Sequence, residues 1–304
     1  MSTFTIMIDT GCDLPQEYID KHKLAVIPIP FQIDGEQHNQ GGWQEISGEE
    51  FYDALRNGRV AGTTLINPET FVQVFTEYAK KGESLLLITL SSGLSGTYQN
   101  SEMALKEVKE TYPDCDIFTV DSLNAAPGIG LFTGLAIKKR AEGLSTAETA
   151  AWLVEHRLTC FSLFTVDDLM FLHRGGRVSK IQAIAGSIIG IKPLLNVAPD
   201  GTLKLKDKAR GRKASLTALF KQMKRSLGPD RTSLDAVLIG HGDCESDAIA
   251  LKDMITSTYD VGEFIIVMIG PVIGAHSGPG TIALFFEGDM DRLEYEDKFY
   301  GGKW

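Results

Sequence analysis

The chain has 304 residues, of which 43% are hydrophobic and 23% charged, a composition typical of a globular protein long enough for about two domains. Its formal net charge of −10 disfavours nonspecific binding to nucleic acids or anionic membranes, so we expect no nucleic-acid partner and at most transient membrane contact. The four cysteines are scattered, and neither a signal peptide nor a membrane-spanning apolar run is evident, so we expect no metal site, no disulfide framework and a cytoplasmic location.

The first half of the chain alternates apolar runs with amphipathic segments. Ser47 and Glu50 form a capping-box pattern at one helix start, and Asn67 precedes another helix, which Gly82 ends. Strands that alternate with helices predict βαβ units and a mainly parallel sheet. The predicted strands are 3–9, 24–34, 84–89 and 116–121, and the predicted helices are 14–22, 47–57, 67–81, 96–111, 130–142 and 145–156.

The second half has a different pattern, which is typical of an α+β domain. It contains a predicted helix at 166–180, a hairpin at 191–210 around "PDG", a basic helix at 212–226 and a helix at 245–257. The sequence therefore predicts an α/β protein of two domains. The N-terminal domain, 1–162, has three layers and a mainly parallel sheet, and the C-terminal domain, 163–304, is α+β.

Five polar turns are candidates for the functional site, because ligands of open α/β sheets bind at the carboxyl ends of strands. Each turn also has a purely structural interpretation, as a helix cap, a backbone-bonding hydroxyl or a solvated helix end. The five turns are 9–13, 62–71, 91–97, 171–180 and the glycine-rich segment 269–286, which we interpret as a loop that carries His276 before a final strand.

The serine-rich turn "SSGLSGT" (91–97) matches neither of two familiar catalytic motifs. A nucleophile elbow requires Gly-x-Ser-x-Gly, and the spacing from Gly93 to Gly96 is one residue short. A Walker A loop requires a lysine, which this turn lacks. Hydroxyl groups and backbone N–H groups remain, and they suit either a weakly charged planar acceptor such as a carboxylate or the turn itself.

The turns, taken in order, resemble the motifs of the DegV family, the bacterial fatty-acid-binding proteins that serve as the lipid-binding subunit of fatty acid kinase. The resemblance covers nearly the whole chain. The second motif keeps its threonine but lacks the family's proline and final serine. The matching segments are "DTGCDL" (9–14), "TTLIN" (63–67), "SSGLSGT" (91–97), "GGRVS" (175–179) and "HSGPG" (276–280).

The resemblance implies a binding protein without enzymatic activity of its own and without a cofactor. A long-chain fatty acid such as palmitate would lie in a tunnel between the two domains, and a separate kinase subunit would phosphorylate it. Its carboxylate would be bound by Thr63, Ser95 and His276, with Ser92 as the alternative serine.

The walls of this tunnel and the kinase-docking surface are predicted less specifically. Apolar segments at 161–172, 181–195 and 268–275 could line the tunnel or belong to the ordinary core, and Gly186 and Gly190 would allow close approach of an acyl chain. Two basic stretches could meet the kinase or its nucleotide. They contain Arg174, Arg177 and Lys180, and the run 206–213 with Arg210.

Three other functions remain open at this point. A serine hydrolase or acyltransferase could use Ser92 or Ser95 with His276, although the sequence offers no third group to orient the histidine. A nucleotide or phosphosugar enzyme could use "GIGLFTG" (128–134), which lacks the Gly-x-Gly-x-x-Gly spacing. A regulatory protein without a small-molecule ligand is the third.

Overall fold

The computed structural model of the protein describes residues 4–179 and 190–301. Across these residues, no helix has both the length and the apolar character needed to cross a membrane. The strands are β1 (Thr5–Asp9), β2 (Ala25–Ile27), β3 (Phe31–Ile33), β4 (Glu36–His38), β5 (Ala61–Thr63), β6 (Leu85–Thr89), β7 (Ile117–Asp121), β8 (Cys160–Thr165), β9 (Ile191–Val197), β10 (Leu203–Arg210), β11 (Ser233–His241), β12 (Asp260–Met268) and β13 (Ile282–Glu287). The α-helices are α1 (Gln16–His22), α2 (Gly48–Arg56), α3 (Pro68–Lys81), α4 (Thr97–Thr111), α5 (Pro127–Ala141), α6 (Thr146–His156), α7 (Met170–Arg174), α8 (Arg212–Leu227), α9 (Glu245–Thr256), α10 (Pro271–Ser277) and α11 (Arg292–Tyr300), with short 3₁₀ segments at Thr10–Cys12 and Arg157–Thr159.

A four-stranded parallel sheet with the order β2-β1-β6-β7 organises the first half. All five residues of β6 are buried, as expected for a strand covered on both faces. Because β2 lies on one side of β1 and β6 on the other, the order of the strands reverses between β1 and β6. In parallel sheets such a switch point opens a crevice at the carboxyl ends of the strands.

A six-stranded sheet with the order β10-β9-β8-β13-β11-β12 forms the second half. Its neighbours are antiparallel except for the parallel pair of β11 and β12, and β9 and β10 form the predicted hairpin. The mixed α/β fold class with one parallel sheet and one further sheet is therefore confirmed. Strand β8 begins at Cys160, so the proposed division between 1–162 and 163–304 falls inside this strand and stays a prediction.

A small antiparallel sheet with the order β4-β3-β5 lies apart from the two main sheets. It packs with α2 and α10 around the buried side chains of Phe31, Phe51 and Tyr52. Phe31 stands opposite Thr63 in the β3–β5 pairing, so a fully buried aromatic residue fixes the strand that carries this threonine.

Two predicted elements have different bounds in the structure. The strand at 24–34 is two strands, β2 and β3, because Pro28 and Pro30 remove backbone donors from the ladder between them. The helix at 166–180 is reduced to α7, and its end coincides with the two glycines at 175 and 176. Lys180, Gly186 and most of the segment 181–195 lie outside the described residues.

The loop interpretation of 269–286 was wrong for its first part. Residues 271–277 form α10, with Pro271 in the first helical position, where the missing N–H costs nothing. Gly270 and Gly278 bound this helix, and the glycine-rich composition concealed it. His276 therefore lies in the last turn of a short helix.

Candidate functional site

A cavity of about 330 Å³ lies at the switch point of the parallel sheet, between that sheet and the six-stranded one. Most of its surface is apolar. Leu90 and Leu94 follow β6, whereas Phe164 and Phe285 come from β8 and β13 of the other sheet. The full lining is Ile29, Thr63, Thr64, Leu65, Leu90, Leu94, Ser95, Ala125, Ala126, Ser162, Phe164, Leu172, Arg177, Val197, Leu203, Ile269, Val272, Ile273, His276, Ser277, Thr281, Ala283 and Phe285.

Two of the predicted carboxylate-binding residues, Thr63 and His276, form a hydrogen bond in the cavity wall. Thr63 Oγ1 lies 2.8 Å from His276 Nε2, although the residues are 213 positions apart in the chain. Thr63 is the last residue of β5, and His276 is in α10, which packs against the same small sheet. The small sheet thus brings together two motifs that are distant in sequence.

Burial makes His276 a weak base. Desolvation, with a smaller contribution from the nearby positive charge of Arg177, lowers the pKa of His276 from 6.5 to about 4. The imidazole is therefore neutral at pH 7. Its Nδ1 atom is buried and has no hydrogen-bond partner among the described residues, and a Cβ atom built on Gly175 would lie only 2.2 Å from it.

The tautomer of His276 follows from these surroundings. A proton on Nδ1 would be a buried donor without an acceptor, whereas a bare Nδ1 leaves only a lone pair unsatisfied. We therefore assign the proton to Nε2, which then donates to Thr63 Oγ1. The hydroxyl proton of Thr63 remains free to donate to a ligand in the cavity.

The serine-rich turn after β6 supplies the third predicted residue, Ser95. The hydroxyl of Ser95 lies 2.9 Å from Thr97 Oγ1, at the start of α4, and Ser95 lines the cavity. Ser92 is absent from the lining, and its backbone N–H donates to Asp121 Oδ1 at 3.0 Å. Ser91 donates to the carbonyl oxygen of Gly201 at 2.8 Å, which joins this turn to the β9–β10 hairpin. Of the two candidate serines, the structure thus brings Ser95 and not Ser92 to the cavity.

The two predicted docking arginines lie in different environments. Arg177 is half-buried in the cavity wall, where its Nε and Nη2 atoms donate to the carbonyl oxygen of Leu94 at 3.2 and 3.0 Å and its Nη1 atom donates to the carbonyl oxygen of Gly175. Arg210 is exposed and lines a shallow surface groove with Lys213 and Lys221. Sequence reasoning missed the cavity position of Arg177, since a Gly-Gly-Arg turn alone does not show where the side chain points.

The predicted tunnel walls are found in part. The segment 161–172 contributes Ser162, Phe164 and Leu172, and 268–275 contributes Ile269, Val272 and Ile273. Val197 and Leu203 of the hairpin also line the cavity, and sequence reasoning missed Leu203 because its alternating pattern is that of any hairpin. Gly190 is not among the lining residues.

A second, larger cavity of about 750 Å³ lies beside the first. Pro28 and Gly270 line it, while their chain neighbours Ile29 and Ile269 line the apolar cavity, so the two cavities share a thin wall. Polar and apolar groups contribute about equally to its lining, which includes Asp13, whose carboxyl pKa is raised well above 3.8 by burial. None of the predicted carboxylate-binding residues lines this cavity, so we favour the smaller one as the functional site despite its volume.

In the first of the five polar turns, Asp9 has a structural role. Asp9 is fully buried, and its carboxylate accepts hydrogen bonds from the backbone N–H groups of Gly11 at 2.9 Å and Leu90 at 2.6 Å. Burial nevertheless raises the pKa of Asp9 to about 6. This side chain joins the carboxyl ends of β1 and β6 and so holds the crevice in shape.

Comparison with known proteins supports the resemblance drawn from the motifs. A family model described as "Uncharacterised protein, DegV family COG1307" matches residues 3–289. The chain belongs to the DegV family. The DegV domain-containing protein CPE0026 of Clostridium perfringens is 39% identical over 290 residues, which cover 95% of this chain and 99% of that protein.

Two solved structures resemble the chain over nearly its whole length. A fatty-acid-binding DegV family protein of Thermus thermophilus shares 28% identity at a TM-score of 0.83, with 94% of this chain and 99% of that one covered. The Fatty Acid Kinase (Fak) B3 protein of Streptococcus pneumoniae, loaded with linoleic acid, shares 20% identity at a TM-score of 0.79, with 94% and 100% covered. At that identity, the second likeness shows the fold alone.

Proposed function

We propose that the protein binds a long-chain fatty acid in the apolar cavity and presents its carboxylate to a separate kinase subunit for phosphorylation to an acyl-phosphate. The observation that carries this proposal is the hydrogen-bonded pair of Thr63 and His276, which lies with Ser95 in the wall of one apolar cavity. The proposal also holds that the protein has no catalytic activity of its own and that it is located in the cytoplasm.

Thr63, Ser95 and His276 have different roles in binding the carboxylate. His276 donates to Thr63 and orients its hydroxyl, and Thr63 and Ser95 donate to the carboxylate oxygens. Each hydrogen bond to a charged group is worth about 1.5–3 kcal/mol. Burial of an acyl chain adds about 0.8 kcal/mol for each CH₂ group, on the order of 12 kcal/mol before association costs for a chain of sixteen carbons. The apolar wall supplies most of the affinity and the donors supply the orientation.

The geometry does not favour the alternative of a serine hydrolase. A serine nucleophile needs a base within hydrogen-bond reach, and the base needs a third group that orients it. The hydroxyl of Ser95 is paired with Thr97, and His276 is paired with Thr63. With a pKa of about 4, His276 is also a poor general base near pH 7.

A nucleotide site at 128–134 is not supported either. Gly128 and Gly130 lie within α5, where they allow close packing and not ligand access. A Cβ atom at Gly128 would lie 2.9 Å from the ring of Phe285, and one at Gly130 would lie 2.5 Å from Leu14.

The binding part of the proposal is tested by native mass spectrometry of protein purified from cells. We expect a bound mass that matches a long-chain fatty acid and that disappears on delipidation. Delipidated protein should then bind palmitate in solution. A protein that carries no lipid and binds no fatty acid after delipidation would refute the proposed function, and labelling of a serine by an active-site phosphonate would support the hydrolase instead.

The kinase part is tested at Arg210, which is exposed. Arg177 is less suitable because it also forms hydrogen bonds in the cavity wall. Arg210→Glu should lower the rate of acyl-phosphate production by a fatty acid kinase subunit and leave palmitate affinity unchanged. Lys106→Glu, on the exposed face of α4, is the matched charge reversal and should alter neither. Equal rates for the two variants would exclude Arg210 from the docking surface.

A further inference from the structure

The last described helix, α11, lies outside the cavity but binds the elements that form it. None of the residues of α11 lines the cavity, and the helix begins three residues beyond the segment matched by the family model. Two of its charged residues are nevertheless buried. Arg292 is 2% exposed and Glu296 is fully buried. Charged side chains are rarely buried unless they bind specific partners.

Arg292 joins two walls of the cavity through backbone carbonyl groups. Its Nη1 atom donates to Leu123 at 3.1 Å, to Val197 at 3.0 Å and to Ala198 at 3.2 Å. Leu123 lies two residues before Ala125, which lines the cavity, and Val197 of the hairpin also lines it. One guanidinium thus holds the segment after β7 against the end of β9.

Glu296 binds both strands of the same hairpin. One carboxylate oxygen accepts from Asn196 Nδ2 and the other from Lys206 Nζ, each at 2.6 Å. The ion pair with Lys206 is almost completely removed from solvent, with side-chain exposures of 5% and 0%. Asn196 is in β9 and Lys206 is in β10, so the contact spans the width of the hairpin.

The tip of the hairpin reaches the turn that carries Ser95. Gly201 accepts a hydrogen bond from Ser91, and a Cβ atom at Gly93 would lie 2.6 Å from the carbonyl carbon of Gly201. A displacement of the hairpin would therefore move Val197 and Leu203 in the apolar wall and would also disturb the serine-rich turn.

We propose that α11 locks the β9–β10 hairpin onto the fatty-acid cavity, with Arg292 and Glu296 as positioning residues, so that a helix which does not touch the lipid controls how long the lipid stays bound. This proposal rests on the proposed function. Loss of either residue frees one side of the cavity, which increases the rate at which the acid leaves more than the rate at which it enters.

The test measures the dissociation rate of a fluorescent sixteen-carbon fatty acid, displaced by excess palmitate, from wild-type protein and from Arg292→Lys and Glu296→Gln. Both changes keep the size of the side chain approximately and weaken its hydrogen bonds. We expect each variant to release the probe about tenfold faster. The matched control is Leu251→Ala, which lowers stability through a fully buried residue of α9 that does not line the cavity.

The control separates positioning from general loss of stability. If Leu251→Ala accelerates release as much as the two α11 variants at an equal loss of melting temperature, or if the α11 variants release the probe at the wild-type rate, the proposal is overturned. If neither α11 variant folds, hydrogen exchange of the wild-type protein decides: palmitate should slow exchange of the amides of α11 and of the hairpin, and unchanged exchange would overturn the proposal. Failure of wild-type protein to bind the probe at all would refute the proposed function itself.

Discussion

The two cavities lie on the same edge of the parallel sheet and share a wall, yet their chemistry differs. The smaller is apolar, and its polar groups include neutral donors, Thr63, Ser95 and His276, beside the bound guanidinium of Arg177. The larger is lined about equally by polar and apolar groups and contains the carboxyl groups of Asp13 and Asp20, and no lysine, arginine or histidine appears among its described lining residues. Under the proposed function, the carboxylate of the lipid would find hydrogen-bond donors in the first cavity and no cationic side chain among the described lining residues of the second. The chemistry of the lining residues, and not the volume of the cavity, therefore distinguishes the proposed binding site.

The largest expected effect comes from filling the apolar cavity. Ala283→Phe places a ring where an acyl chain would lie, because Ala283 is buried in β13 and lines this cavity. Loss of space for about four methylene groups corresponds to roughly 3 kcal/mol, so palmitate affinity should fall about 100-fold or more in isothermal titration calorimetry.

The matched change in the larger cavity is Gln44→Phe, at an exposed position of its lining. Palmitate affinity should stay within about twofold of the wild-type value. A loss that appears with Gln44→Phe and not with Ala283→Phe would reverse the assignment of the two cavities.

A smaller effect is expected from Thr63→Val, which keeps the shape of the side chain and removes its hydroxyl. The variant loses a hydrogen bond to a charged group and leaves His276 Nε2 without its partner, so palmitate should bind about 10- to 100-fold more weakly. Binding of the methyl ester, which has no carboxylate charge, should change much less. Equal losses of affinity for palmitate and for its methyl ester would show that Thr63 contributes only to the apolar wall and not to binding of the carboxylate.

The pH dependence of stability distinguishes His276, a base in the wall of the smaller cavity, from Asp13, an acid in the lining of the larger one. Because the pKa of His276 is about 4 when folded and 6.5 when unfolded, only the unfolded chain takes up this proton between those values. Its contribution to stability is present above pH 6.5 and is lost as the pH falls. From pH 7 to pH 5, wild-type protein should lose about 2 kcal/mol more of its unfolding free energy than His276→Asn does.

Asp13 gives a contribution of the opposite sign. Its pKa is raised in the folded protein, so the folded state binds the proton more tightly and loses stability as the pH rises above 3.8. Asp13→Asn should therefore gain stability relative to wild-type protein from pH 4 to pH 7. Chemical denaturation at several pH values measures this difference, and a difference between Asp13→Asn and wild-type protein that stays constant across the range would contradict the assignment.

Much of the fold was accessible from local signals. The capping box of Ser47 and Glu50, the Asn67 cap and the Gly82 stop lie where the sequence places them, because each signal is a contact within one turn of helix. The failures arose where local signals compete. Prolines divided the strand at 24–34, and glycines concealed α10, whose stability comes from packing on the small sheet.

The site was predictable only to the level of side-chain chemistry. Motifs placed Thr63, Ser95 and His276 among the candidates, but not the hydrogen bond between two of them, since that contact joins distant strands and helices. The inward position of Arg177 depends on a carbonyl group at Leu94, which the sequence cannot relate to it. The same limit hid α11, where Arg292 binds carbonyl groups that every residue possesses.

The wall between the cavities contains chain neighbours that line opposite sides, Pro28 with Ile29 and Gly270 with Ile269. The backbone N–H of Ile29 donates to Thr10 Oγ1 at 2.9 Å, and Gly41, at φ +69°, packs so closely that a methyl group there would lie 2.3 Å from the same oxygen. Under the proposed function, this wall would limit how far a hydrocarbon chain extends toward the larger cavity. Relatives that accommodate longer tails in this direction would need a smaller residue in place of Ile29 or Ile269, and the two chambers would then merge into one.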